Sequence, residues 1–539
     1  MHSTIQELSA DQGMSADAIA SQNAAMADNH PLQTHEIPRS AEEFAAVAKR
    51  LRESGFTHLP LVRETLADLD TPLSCYLKLA DQPYSYLLES VQGGEKWDRY
   101  SIIGLPCDTV HSYRAKSYQC RIDGTFGAAE KITDPLAHIR SLQAKYKVAT
   151  YPGLPEMIGG LVGYFGYETI ALMESKLDLE SKPDAIDAPD ILLMVSLDVL
   201  VFDNLSGRIF VVTLLSLDEE GAFESGQAKL DNLLLTLNQS FASPSVEAQS
   251  SPISEDDYRP DFDQESFHQA VDKCRDYIRD GDIMQVVLSQ RLSAPFSGRS
   301  IDLYRALRTI NPSPHMYFMN MGEFEIVGSS PEILVQLFDG KVTVRPIAGT
   351  RMRGKDEAQD LAMEEELIND QKELAEHLML IDLGRNDVGR IARTGSVQLT
   401  EQMSIERYSH VMHIVSNVEG QVQNDLDAID VLKATFPAGT VSGAPKIRAM
   451  EIIHELEPTK RGVYSGAVGY LSWNGNMDTA IAIRTAVVKE GTVYVQAGAG
   501  IVADSIPKYE WKETLNKARA MIKAVEMAES GLRFAQGGQ

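Results

Sequence analysis

Residues 467–500 read AVGYLSWNGNMDTAIAIRTAVVKEGTVYVQAGAG. Three strand-like runs, Ala467–Leu471, Ala480–Val488 and Thr492–Ala497, follow one another here with no helix between them. Upstream, Ile283–Ser289, Ile333–Leu337, Val342–Pro346 and His410–Val418 have the same strand character. Hairpin-like succession, in place of β-α-β alternation, predicts an α+β fold of antiparallel sheets covered by helices and argues against a doubly wound parallel sheet. Helical spacing at Ala41–Glu53, Phe267–Asp280, Ile301–Ile310, Met363–Met379 and Ile447–Leu456 supplies the covering layer. In the N-terminal half, Tyr84–Glu89, Gly159–Tyr164 and Ile209–Leu214 read as strands, punctuated by Gly-Gly, Pro-Gly and Asn-Leu-Ser-Gly in the manner of hairpins.

Composition divides the chain further. Residues 1–36, rich in Ala, Ser, Asp, Gln and Asn, read as a tail. The Ser-, Pro- and acid-rich stretch 239–263 reads as a linker between an N-terminal domain, 37–238, and a C-terminal domain, 264–525, with a second tail at 526–539. No repeat of fixed period is visible.

With 539 residues, 43% hydrophobic and 24% charged, the chain has ample material for a large core. Its formal charge of −27 repels phosphate backbones and anionic lipid, so an anionic substrate must find local positive charge in Arg, Lys or a metal ion. Four cysteines without C-x-x-C spacing argue against a disulfide framework or zinc cluster and for a reducing cytoplasm. The first Lys or Arg is Arg39, so no secretory n-region is present, and the apolar stretch 191–202 is too short to span a bilayer.

Several local patterns could carry chemistry. Glu373-Leu-Ala-Glu376 and Glu510-Trp-Lys-Glu513 each place two carboxylates on one helix face. The plainer reading is a pair of solvated faces in an acidic protein; the sharper one is that both converge on a divalent cation, for which oxygen donors point to Mg²⁺. Pro437–Lys446, PAGTVSGAPK, lacks the spacing of a nucleotide-binding phosphate loop, but a turn presenting the Thr440 hydroxyl at a helix start suits a carboxylate. Gly498-Ala499-Gly500 reads as a strand end that admits a ligand close to the backbone, or as a simple turn. In the run 479–487, period two sets Arg484 among Ala480, Ala482 and Ala486, as a buried guanidinium awaiting a carboxylate or as an exposed edge arginine. His413 alternates with Val411 and Val415, the setting of an ordinary core histidine.

Longer strings resemble the chorismate-utilising enzyme family, and within it the anthranilate-forming aminases. They include LLES (87–90), GDIMQVVLSQR (281–291), NPSPHM (311–316), GSSPE (328–332), RPIAGTRMRG (345–354) and KELAEHLMLIDLGRND (372–387). YSHVMHIVSNVEG (408–420), PAGTVSGAPKIRAMEII (437–453), YSGAVGY (464–470), IAIRTAV (481–487) and QAGAGIVADSIPKYEWKET (496–514) continue the set. The resemblance extends from about residue 40 to 525. It implies that ammonia adds at C2 of chorismate as the C4 hydroxyl leaves, and that pyruvate elimination then gives anthranilate, the entry to tryptophan biosynthesis. It implies Glu376 and Glu513 as Mg²⁺ ligands, with Glu373 and Glu510 one turn away holding metal-bound water. Tyr464, Arg484 and the backbone of Gly498, Ala499 and Gly500 are implied to hold the enolpyruvyl carboxylate, with Gly349 and Thr350 lining the ring side. Glu332 is implied to protonate the departing hydroxyl, its pKa raised by burial. His413 and Thr440 are matched to the elimination, with His413 moving the C2 proton.

Two positions separate the chain from relatives. Gln285 stands where isochorismate- and salicylate-forming members have a water-activating lysine, and Ala348 stands where aminodeoxychorismate-forming members have a covalent lysine. Both differences imply direct addition of ammonia. No cysteine sits in a G-x-C-x-G elbow, so the resemblance implies a separate glutamine amidotransferase subunit, in a heterotetramer of two large and two small subunits. Leu88, Glu89 and Ser90, with Pro314, His315 and Met316, resemble the family's site for L-tryptophan as feedback inhibitor; His315 occupies a position often aromatic in relatives.

Overall fold

The computed structural model describes residues 31–91, 99–177, 182–241, 248–249, 253–408 and 411–533. Most of the expected tail, parts of the linker, and His410 of the 410–418 run lie outside them. Two antiparallel sheets, one of twelve strands and one of thirteen, form the body. A single apolar core joins them: Tyr86, Ile102 and Tyr317 from the first sheet share it with Tyr164, Val335 and Val468 from the second. The period-two alternation that sets this core is legible in Ser85–Glu89. Tyr86 and Leu88 face the inter-sheet core while Leu87 joins a second core beneath the helices Ser300–Ile310 and Pro507–Glu529.

The stretch 239–263 does not separate two sheets. Ser85–Glu89 pairs with His315–Asn320, and Gly160–Phe165 pairs with Ala467–Ser472, so the parts of the chain on either side of it supply both sheets. The stretch itself ends in structure, with Arg259 and Pro260 paired to Ser293 and Leu292. The tails are also shorter than expected. Leu32 is fully buried, and the final helix runs to Glu529, whose carboxylate accepts from the backbone of Ile253 and Ser297.

Two elements divide where periodicity predicts continuity. The expected helix Met363–Met379 is two helices, Glu357–Asn369 and Gln371–Gly389. Asp370 between them is extended, and its side chain accepts from the N–H groups of Lys372 and Glu373, starting the second helix anew. The expected strand Ala480–Val488 is also two, Met477–Ile481 in the thirteen-stranded sheet and Thr485–Lys489 in the twelve-stranded sheet. The chain changes sheets at Arg484, which adopts the left-handed φ of 52°. No helix of the described residues is long and apolar enough to cross a membrane.

Candidate active site

The sheet change at Arg484 opens a backbone edge. Thr485–Lys489 pairs with the next strand, Thr492–Ile501, only as far as Ala486 opposite Val495. Beyond that point Thr492–Ile501 keeps a strand partner on one side, Gln285–Pro295, where Val287 faces Gly500 and Ser289 faces Gly498. Lys517 Nζ donates to the Gly498 carbonyl at 3.0 Å, so that carbonyl points to the open side. Ladder alternation turns the N–H and C=O of Gly500 the same way. Ala499, expected to join them, is turned toward Leu288 and buried in the core, so the edge is made by the two glycines alone. The segment is therefore the unpaired flank of the strand's last residues, at the strand end expected. A Cβ at Gly498 would come within 2.8 Å of Tyr464 Oη and of Val287, and one at Gly500 within 2.6 Å of Gln285 Nε2. Gly498→Ala is expected to displace the tyrosine and raise the KM for an anionic substrate held at this edge about tenfold or more, the cost of one hydrogen bond to a charged group, in steady-state assays with circular dichroism unchanged.

Cations collect beside this edge. Arg484 donates through Nη1 to the Lys517 carbonyl, and among the described residues no carboxylate lies within ion-pairing distance of its guanidinium. Burial depresses it, while Tyr464 and Glu513 nearby favour its charge. Lys517 is a residue that the motif reading passed over. It pairs with Glu513 at 2.8 Å, an i,i+4 spacing on one helix that the sequence displays, but its bond to Gly498 is long-range.

Across the site, Thr440 Oγ1 donates to Glu332 Oε1 at 2.8 Å. Glu332 is 8% exposed, and burial pushes its carboxyl up to about 8, against the Thr440 hydrogen bond and the Lys517 charge, which lower it. His413 meets Gly349 and Thr350, which the resemblance sets on the ring side. A register shift between Ala348 and Thr350 bulges the strand at Gly349, whose φ is 66°. Its carbonyl lies 2.9 Å from His413 Nδ1, and Thr350 Oγ1 lies 3.1 Å from the same nitrogen. A carbonyl can only accept, so the proton sits on Nδ1 and leaves Nε2 as a base. Burial lowers the imidazole, with Arg484 adding to the effect, which keeps it neutral.

The two carboxylate pairs converge from separate helices. Gln285 Nε2, which faces Gly500, donates to Glu376 Oε1 at 3.3 Å, while Glu513 reaches Gly498 through Lys517. Lys372 in the first turn of Gln371–Gly389 is close enough to Glu510, in the first turn of Pro507–Glu529, to favour its charge. Burial raises Glu373, with Glu376 adding to it, and burial raises Glu510, with Glu513 adding to it. Among the described residues no three His, Cys, Asp or Glu side chains form a group that could enclose a metal ion. Magnesium needs no such cage, since it takes one or two carboxylates and keeps waters and substrate oxygens for the rest. Glu376 beside Gln285 and Glu513 beside Lys517 are the carboxylates that could serve such an ion.

Known proteins place the chain in a family. A model of chorismate binding enzymes matches residues 90–523. The chain belongs to that family. Among curated relatives it is 59% identical over 484 residues to anthranilate synthase component 1 of Pseudomonas aeruginosa, covering 90% of this chain and 98% of that one. It is 52% identical over 498 residues to the protein of the same name from Neisseria meningitidis, covering 92% and 99%. Anthranilate synthase component I from Streptococcus pneumoniae superposes with a TM-score of 0.71 at 40% identity, over 85% of this chain and 99% of that one.

This chorismate-binding enzyme has a second cavity, of about 530 Å³, between its two sheets. All six residues matched to an inhibitor site line it: Leu88, Glu89, Ser90, Pro314, His315 and Met316. Pairing of Met316 with Glu89 brings the two segments together. The Glu89 carboxylate is already taken by Tyr304 at 2.5 Å and by Arg308 at 3.2 Å. The far wall includes Gln336 and Asp478, on strands that end near Glu332 and Arg484 respectively.

Proposed function

We propose that the chain converts chorismate and ammonia to anthranilate and pyruvate, with Mg²⁺ bound, as the large subunit of a glutamine-dependent enzyme. The observation that carries this reading is the meeting of an arginine without an ion pair among the described residues, an open glycine edge, a buried glutamate and a buried histidine near two acidic helix turns. Arg484, Tyr464 and the Gly498 and Gly500 edge would hold the enolpyruvyl carboxylate by bidentate and backbone hydrogen bonds. Glu376 and Glu513 would hold Mg²⁺, with Glu373 and Glu510 on its waters. When bound, the ion would neutralise the ring carboxylate and so fix the substrate.

Glu332 stays protonated at neutral pH because burial raises it to about 8. Thr440 donates to its Oε1, which leaves Oε2 to carry the proton to the departing C4 hydroxyl. Ammonia adds at C2 as water leaves, and the adduct's ammonium then loses a proton. His413 Nε2 takes the C2 proton as the C3–O bond breaks and the ring becomes aromatic, and the released enolpyruvate takes one proton at its methylene carbon to become pyruvate. Gln285 is no base and Ala348 no nucleophile, which favours ammonia over water or an enzyme lysine.

Ammonia is supplied by a partner glutaminase in this reading, in a heterotetramer of two large and two small subunits, and the enzyme acts in the cytoplasm. Tryptophan binds the inter-sheet cavity and inhibits by favouring an inactive arrangement of the strands that lead to Glu332 and Arg484. The test is incubation of the purified chain with chorismate, Mg²⁺ and ammonium salt, with and without tryptophan. Fluorescent anthranilate and pyruvate, suppressed by tryptophan, are expected. An amino product that retains the enolpyruvyl group would overturn the assignment.

A further inference from the structure

The turn carrying Thr440, the strand opposite the open glycine edge, and the loop carrying Tyr464 come from distant parts of the chain. One buried side chain bonds all three. Arg461, 1% exposed, donates through Nη1 to the Val441 carbonyl at 2.7 Å and to Ser465 Oγ at 3.2 Å. Its Nη2 donates to the Val287 carbonyl at 2.8 Å and to Glu457 Oε1 at 2.6 Å, and its Nε donates to Glu457 Oε2 at 2.8 Å. All five guanidinium N–H groups are thereby used. Glu457, 3% exposed, also accepts from the backbone and hydroxyl of Ser289 at 2.7 and 2.8 Å. Glu168 accepts from the N–H groups of Arg461 and Gly462, both at 2.9 Å, and fixes the backbone from which the arginine reaches.

Every partner adjoins a reaction residue. Val441 follows Thr440, and Ser465 follows Tyr464 with a left-handed φ of 65°. Val287 faces Gly500 and Ser289 faces Gly498. The guanidinium also lies 5.6 Å from the centre of the Tyr464 ring. Stability is a weak reason for such a pair, because desolvating two charges costs about what their attraction returns, and apolar replacements of both are often neutral or stabilising. What an apolar pair could not do is tie three backbone segments at fixed distances.

We propose that the Arg461–Glu457 pair is a positioning device for the reaction, holding Thr440, Tyr464 and the Gly498–Gly500 edge in one mutual geometry and, through Thr440, orienting Glu332. The inference rests on reading Glu332 as the acid that protonates the leaving hydroxyl.

Arg461→Lys keeps a charge beside Glu457 but loses the fork that reaches Val441 and Val287. Its kcat for anthranilate formation from chorismate and ammonium is expected to fall about 10²-fold, the scale set by a misplacement of about 1 Å. The groups facing Glu332 are Thr440 and Lys517, with Arg345 and Asp387, the latter paired with Lys446 at 2.8 Å, lining the same small cavity. Loosening the Thr440 hydrogen bond, which lowers Glu332, moves the alkaline limb of the kcat profile to higher pH. Thr440→Val is expected to move the limb the same way, and the two substitutions together are expected to move it no further than one. The apolar double variant Arg461→Met/Glu457→Leu is the second form; it is expected to remain folded by circular dichroism and to show the same loss and the same displaced limb. A kcat reduced only in step with the folded fraction, with the limb unmoved, overturns the proposal while leaving the function intact. Absence of anthranilate from the unmodified chain overturns the reading of the site, and this inference with it.

Discussion

Glu332→Gln is expected to lower kcat for anthranilate formation by about 10²- to 10⁴-fold, the range for removing a positioned general acid, with little change in chorismate KM. Glutamine preserves the shape and can still accept the Thr440 hydrogen bond, so the loss isolates the proton. Two pH signatures go with it. In the unmodified protein activity declines above about 8, where the buried carboxyl ionises, and that limb disappears from the residual activity of the variant. Stability moves the other way. The folded carboxyl holds its proton to about 8 whereas an ordinary one releases it near 4.5. Between those values the folded state binds more protons than the unfolded state, so stability falls as pH rises. Glutamine removes this liability, and Tm of the variant is expected to exceed that of the parent at pH 8 and to equal it at pH 4. Equal Tm values at pH 8 would show that the carboxylate is not destabilised by burial and would remove the argument for its being an acid.

Glu513→Gln is expected to reduce Mg²⁺-supported turnover about 10²- to 10³-fold, since metal stabilisation of developing charge is worth several kcal/mol and each 1.36 kcal/mol is tenfold. The same substitution removes the partner of Lys517, so activity alone would not separate the two effects. The separating measurement is thermal protection. Mg²⁺ with chorismate is expected to raise Tm of the parent by linkage and to do so far less in the variant. Glu376→Gln, whose carboxylate meets Gln285 and no lysine, is expected to give the same loss of protection. Undiminished protection in both would place the ion elsewhere.

The local halves of this site are legible in the chain. An i,i+3 spacing puts Glu373 with Glu376, and Glu510 with Glu513, on one helix face whatever the rest of the protein does. Which faces meet is not local, and the approach of Lys372 to Glu510 appears in no motif. The run 479–487 misleads for a related reason. Its alternation is that of a strand, but alternation does not encode a left-handed φ at a non-glycine residue, and Arg484 adopts one where the chain leaves one sheet for the other. Asp370 interrupts a helical pattern in the same way, because its side chain serves the backbone of the next helix better than it serves the one before. Arg461 shows only its i,i+4 spacing from Glu457 in the sequence. Two of its five hydrogen bonds go to the carbonyls of Val441 and Val287, and backbone carbonyls carry no residue identity.

By itself, the amino-acid sequence determined the class of fold, the elements and most of their spans, the donor chemistry available, and the family to which the motifs belong. Periodicity and side-chain type are properties of neighbouring residues and survive without tertiary context. Tertiary structure alone decided that the stretch 239–263 divides no sheet, that the glycine edge is an unpaired strand flank with Ala499 turned away, and that Glu332 and His413 are buried, which raises the carboxyl and lowers the imidazole. Each of those depends on burial and on contacts between segments separated in the chain, and the free energy of a charge or an open hydrogen bond is set by what surrounds it rather than by what precedes it in the chain.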